Sequence, residues 1–140
     1  MKTAFYLFCM AVCVCFVGCV KQRTPSAYEI PEGFVGWVTI DYGQSDAPAL
    51  PLKDDRRIFL ISPDGHLATS SRILYGMSVN TYEYIGNPHR VLPQTIWGGG
   101  GMIWAGEIVG PVPNGDESRV QERFFVGTEA EYKKSIGRED

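Results

Sequence analysis

Beyond Cys19 the chain has no cysteine: all four thiols, Cys9, Cys13, Cys15 and Cys19, fall in the first 19 of its 140 residues. The remainder therefore holds no disulfide, thiolate metal ligand or cysteine nucleophile. Blocks of like charge are missing too. Thirteen basic residues are interspersed among 16 acidic ones, for a net charge of −3, and no basic run exceeds Arg56-Arg57 or Lys133-Lys134. Such a surface does not neutralise a row of phosphates, which argues against a nucleic-acid partner. Histidine is scarce: His66 and His89 each sit in a turn, without a second His or a carboxylate at metal-ligand spacing, and read as solvated turn residues. Ser70-Ser71 lacks a G-x-S-x-G elbow. No internal repeat and no second domain are visible, and no metal or cofactor is expected.

The first residues are different in kind. Lys2 gives a positive start, Ala4 to Val17 is an uncharged apolar run of 14 residues, and small Gly18 precedes Cys19. That run fits a signal h-region and is shorter than the roughly 20 residues of a spanning helix. Phe16-Val17-Gly18-Cys19 resembles the lipobox of bacterial lipoproteins, with Phe16 where Leu is usual. Cys9, Cys13 and Cys15 follow Phe, Val and Val, so only Cys19 has the small neighbour that cleavage needs. The resemblance implies a signal peptide at 1–18, a diacylglycerol thioether on Cys19 and membrane anchoring, each buried methylene adding ~0.8 kcal/mol. A retained N-terminal helix is the alternative, since Ala4 to Val20 spans 17 residues, the lower limit of a span. Residues 19–28 are expected to be the lipidated cysteine and a polar tether, KQRTPSAY, and residues 29–140 a single domain. Val20 replaces the Asp that often retains lipoproteins in the inner membrane. In a Gram-negative envelope this favours the outer membrane.

Phe34 to Tyr42 alternates Phe34, Gly36, Val38, Ile40, Tyr42 against Val35, Trp37, Thr39, Asp41, which predicts a strand with one buried face. Ile58 to Ile61 and His66 to Thr69 flank Ser62-Pro63-Asp64-Gly65, whose Pro and Gly match a type I turn. Further strands are predicted at Thr81 to Ile85, Met102 to Val109 and Arg119 to Val126, with turns at Gly86-Asn87-Pro88 and Asn114-Gly115. Thr128 followed by Glu131 is a capping box, with Lys133-Lys134 near the helix end and Gly137 to stop it. Short strands closed by one helix predict a mainly β, antiparallel sandwich-like domain, of prealbumin or immunoglobulin type, with a short C-terminal helix.

Three constellations are candidates for function. Gly98, Gly99, Gly100 and Gly101 lie between Trp97 and Trp104; no Lys-Ser/Thr and no helix follow, so a phosphate loop is not expected. The segment is either a bulged connection or a binding loop with Trp97 and Trp104 as contacts. Trp37, Trp97, Trp104, Tyr82 and Tyr84 are either core or a stacking platform for envelope polysaccharide. Asp41, Glu83 and Glu107 are strand carboxylates able to pair as acid and base in a hydrolase, although alternation puts Asp41 and Glu107 on solvated faces. A binding module should expose an aromatic or loop patch. An enzyme should show a cleft with converging polar groups, such as a histidine set beside one of these carboxylates.

Ile30-Pro31-Glu32-Gly33-Phe34-Val35-Gly36-Trp37-Val38, then Asp64-Gly65 with Thr69-Ser70-Ser71, then Phe124-Phe125-Val126-Gly127-Thr128-Glu129 with Glu131-Tyr132, resemble a family of small bacterial proteins, often lipoproteins, classed as a domain of unknown function. The likeness runs over residues 29 to 134 and implies no catalytic residue. The expectation is a non-catalytic binding or structural lipoprotein of the cell envelope, with an envelope protein or polysaccharide as partner. An envelope hydrolase is the rival.

Overall fold

The computed structural model describes residues 22–86, 90–95, 100–110 and 120–137. Their elements are β1 (Ser26–Pro31), β2 (Gly36–Asp41), β3 (Leu52–Lys53), β4 (Arg56–Leu60), β5 (His66–Ala68), β6 (Thr81–Ile85), β7 (Arg90–Val91), β8 (Ile103–Val109), β9 (Gln121–Val126) and α1 (Glu129–Ser135). A five-stranded sheet, in the order β3-β4-β1-β6-β7, packs on a four-stranded sheet, β5-β2-β9-β8. Among the described residues the chain is mostly β with one short helix, and neither sheet closes into a barrel.

Pairing inside the sheets departs from the antiparallel expectation. β1 runs parallel to both β4 and β6, and β2 parallel to β5, while β2, β8 and β9 pair antiparallel. Alternation reports which face a residue takes and is blind to strand direction. β1 itself lies across the boundary between the expected tether and domain. Its Ser26, Tyr28 and Ile30 face inward and are buried, so the segment that looked like a polar linker begins the central strand of the first sheet.

Parallel register builds the core. Tyr28 lies opposite Phe59 on one side and Tyr82 on the other. In-register neighbours sit about 4.8 Å apart, which is ring-stacking distance. The rings accordingly stack, with centroids 4.6 Å apart for Tyr28 and Phe59 and 4.5 Å for Tyr28 and Tyr82, and Phe124 of the facing sheet meets Tyr28 edge-on. Ile30, Val38, Ile40, Ile61 and Val126 fill the space between the sheets; each aliphatic side chain buried there contributes about 1.5–3 kcal/mol.

Turns follow their local chemistry. Asp54 and Asp55, at φ 50° and 57°, make a two-residue hairpin between β3 and β4, a conformation aspartate tolerates. In the turn at Pro63-Asp64, Gly65 N–H closes on Ser62 O at 2.9 Å. Gly65 has φ +80°, and a Cβ there would stand 2.5 Å from Trp37 O, so no larger residue fits. The capping box forms as read: Glu131 N–H donates to Thr128 Oγ1, and Glu131 Oε2 accepts from Thr128 N–H at 2.7 Å. Those bonds hold the Glu131 carboxyl below its usual range.

Candidate functional site: a polar pocket at one end of the sandwich

Because β1, β4 and β6 run in parallel, Ser26, Arg56 and Thr81 share one end of the domain. Phe34 N–H bonds to Pro31 O in the connection to β2, which then returns to the Ser26 end and delivers Tyr42 there. Opposite them, β9 places Glu122 on its inward face, in phase with Val120, Phe124 and Val126. Tyr28 Oη donates to Glu122 Oε1 at 2.7 Å, and Tyr42 Oη to Glu122 Oε2 at 2.6 Å. One carboxylate is thus gripped by hydroxyls from both sheets.

Arg57 of β4 completes the cluster. Its side chain is 8% exposed, stands 5.4 Å from the Phe59 ring centroid, and donates from Nη2 to Arg72 O at 2.8 Å. No other hydrogen bond to the described residues engages its guanidinium. Burial lowers the Arg57 pKa, opposed by the nearby tyrosines and Glu122. Burial first, then the Glu122 charge, drives Tyr28 and Tyr42 far above the usual tyrosine range, so both stay neutral donors. Arg23 is held on the rim by Ser26 Oγ and Asn80 Oδ1, each at 3.2 Å. These groups, with Ile73, Leu74 and Ile108, surround a cavity of about 120 Å³, the share of some four liquid waters. Beyond Ile108 and Glu122 an adjoining hollow of about 280 Å³ opens toward Gly106 and Glu107.

The residues singled out from sequence are not the ones gathered here. Trp104 is buried at 7%, stacks on Tyr132 of α1 with centroids 5.4 Å apart, and donates from Nε1 to Gly127 O at 2.9 Å. Trp37 packs against Phe125 and Tyr132, with the Arg123 guanidinium 5.0 Å from its ring centroid. Tyr82 and Tyr84 point into the core. α1 covers the outer face on which Trp37 and Trp104 stand, so among the described residues the helix, and not the core between the sheets, packs against these two rings. Gly100 is exposed at φ +71°, and Gly101 presses against Thr95, whose N would lie 2.4 Å from an added Cβ. Thr95 N–H to Ile103 O and Met102 N–H to Pro93 O tie the two ends of this loop together. Trp97, Gly98, Gly99, His89 and Cys19 lie outside the described residues.

The strand carboxylates fall in three places. Asp41 Oδ2 meets His66 Nε2 at 2.6 Å, and Asp41 Oδ1 accepts from Gln121 Nε2 at 2.6 Å. This pair sits on the open outer face of the second sheet, with His66 exposed, and among the described residues no hydroxyl bonds the ring. Glu83 lies next to Glu29 in the β1–β6 register, on the outer face of the first sheet, in an open hollow with Lys53 and Arg56. Glu107 reaches Arg123 at 3.5 Å. No cluster of three metal-ligating side chains occurs among the described residues.

A family of unknown function, DUF6843, matches residues 22–96. The chain belongs to this family. The DUF6843 match takes in the first two signatures read from the sequence and stops before the third, Phe124 to Tyr132. It also supplies Tyr28, Tyr42 and Arg57 of the pocket, while Glu122 lies beyond it. A crystal structure of a candidate lipoprotein from Bacillus anthracis has the same fold, with a TM-score of 0.58 and 19% identity, over 85% of this chain and 82% of that one. No curated protein matches.

Proposed function

We propose that this chain is a lipid-anchored module of the bacterial cell envelope that holds a small polar ligand in the Glu122 pocket without transforming it. The observation that carries the reading is the Glu122 carboxylate, with each oxygen bonded by Tyr28 or Tyr42, beside a buried Arg57 whose guanidinium, among the described residues, hydrogen-bonds Arg72 O alone. A carboxylate held by one neutral tyrosine hydroxyl on each oxygen is fixed in place as a recognition element. Anchoring rests on a signal that ends at Gly18, just before Cys19, and is supported by the lipoprotein description of the Bacillus anthracis relative in fold. Among the described residues no helix is long and apolar enough to cross a membrane. Val20 points to the outer membrane where the host is Gram-negative. The boundaries 1–18 for the signal and Cys19 for the anchor are part of this proposal.

The test is to purify the protein from its own envelope in mild detergent and identify small molecules released on denaturation. A bound species present at near stoichiometry, and lost from Glu122→Gln and Arg57→Lys, supports the reading; an empty protein refutes it.

One observation favours a catalytic alternative. Glu29 and Glu83 are ladder neighbours in an open hollow, and a glycoside hydrolase works with a pair of carboxylates that flank the scissile bond. That reading predicts cleavage of envelope polysaccharide, abolished by Glu83→Gln. Intact polymer after incubation with the unmutated protein eliminates it.

A further inference from the structure

The Ser26 end of the domain carries an apolar rim that none of the described residues covers. Leu74, Tyr75, Met77 and Val79 are all exposed, Met77 at 66% and Val79 at 76%, along the connection between β5 and β6. The same connection is fastened to the start of the described chain: Arg23 N–H donates to Met77 O at 3.1 Å, and Gln22 bridges Met77. Gln22, Arg23, Pro25, Met77, Ser78 and Val79 line a shallow groove of about 390 Å³. Four large apolar side chains on one exposed segment are a patch, and a patch of this kind marks an interaction surface.

The length of chain before Gln22 says what covers it. Two residues, Val20 and Lys21, separate Gln22 from Cys19, and three Cα steps of 3.8 Å reach at most about 11 Å. The polar headgroup zone on each side of a bilayer is about 5–7 Å deep. An acylated Cys19 therefore holds Gln22, and with it Met77, within about two headgroup layers of the hydrocarbon. The expected tether of residues 19–28 shrinks to the few residues ahead of Gln22.

We infer that the domain sits directly on the membrane, with Leu74, Tyr75, Met77 and Val79 inserted in the lipid interface beside the acyl chains of Cys19. The inference rests on the lipoprotein reading proposed above. The occupant of the rim is a phospholipid bilayer: Arg23, Lys53, Arg56 and Arg72 at this end exceed Asp54 and Asp55 by only two charges, so apolar contact and the anchor supply most of the adhesion, and high salt does not release it. Glu32, just past the last residue of β1, lies at the opposite end and faces water. Arg23 and Leu74 also line the Glu122 cavity, so its rim adjoins the bilayer.

The experiment uses the processed full chain reconstituted into vesicles of phosphatidylethanolamine and phosphatidylglycerol. A nitrobenzoxadiazole label is placed at Met77→Cys, Val79→Cys or Glu32→Cys, all solvent-exposed positions, and acylation of Cys19 is checked by mass. The expected result is blue-shifted emission at positions 77 and 79, quenched several-fold more by acyl-chain nitroxide lipids than the label at position 32, and unchanged in high salt. Equal, water-like emission at all three positions, with Cys19 acylated, overturns the membrane seat and leaves the lipoprotein reading intact. An unmodified Cys19 overturns both.

Discussion

Tyr28 Oη and Glu122 Oε1 lie 2.7 Å apart, joining the central strand of one sheet to a strand of the other through the middle of the sandwich. Tyr42 repeats the bond on the second carboxylate oxygen. The polar centre is therefore a cross-sheet clamp as well as a pocket wall.

Removing the carboxylate should cost more than removing either hydroxyl. Glu122→Ala strands two buried tyrosine hydroxyls and should lower stability by about 2–4 kcal/mol, whereas Tyr28→Phe should cost about 1–2 kcal/mol. Glu122→Gln keeps a partner for each hydroxyl and should fall between wild type and Glu122→Ala. Urea denaturation of the three variants checks the order, and a double-mutant cycle between Tyr28 and Glu122 gives their coupling. A neutral Glu122→Ala would mean the clamp carries no stability.

The same tyrosines make the fold sensitive to alkali. Tyr28 and Tyr42 are raised far above the usual tyrosine pKa, and burial pushes Tyr82 up to about 12. Unfolded tyrosines release their protons near pH 10 while the folded ones keep theirs. Their contribution is fully present below about pH 10 and declines above it, by about 1.4 kcal/mol per pH unit for each tyrosine. Denaturant midpoints measured across that range should fall, and Tyr82→Phe should reduce the slope by one tyrosine's share up to about pH 12. Constant midpoints would contradict the burial of these hydroxyls.

α1 acts as a cover over Trp37 and Trp104. Thr128→Ala removes the hydroxyl half of the capping box, while the backbone N–H of residue 128 still donates to Glu131, and should cost about 1 kcal/mol. Tyr132→Ala opens the Trp104 face to water. Tryptophan emission should shift to the red and iodide quenching should rise in Tyr132→Ala, with little change in Tyr132→Phe.

Legibility of the fold tracked how sharply the two faces of each strand differ. β6 was read to the residue because TYEYI alternates cleanly, and the turn at Pro63-Asp64 because proline and glycine fix it. β1 escaped notice because small Ser26 and terminal Pro31 blunt its alternation, and its central place depends on parallel pairings that no local pattern encodes. The pocket had a signal that went unused. Glu122 shares the phase of Val120, Phe124 and Val126, and Arg57 that of Phe59 and Ile61; a charge on a buried face needs a partner, and each marks the polar centre. Trp104 misled because a tryptophan beside glycines suggests a ligand platform, while its burial is set by a helix that docks from 25 or more residues along the chain.

The central claim is that Cys19 anchors this domain to the envelope membrane. Radiolabelled palmitate fed to cells producing the full chain tests it most directly, with Cys19→Ala as the comparison. The account predicts a labelled, processed band in the unmutated protein and an unlabelled, larger precursor in Cys19→Ala. Equal labelling of the two, or no labelling of either, would contradict it.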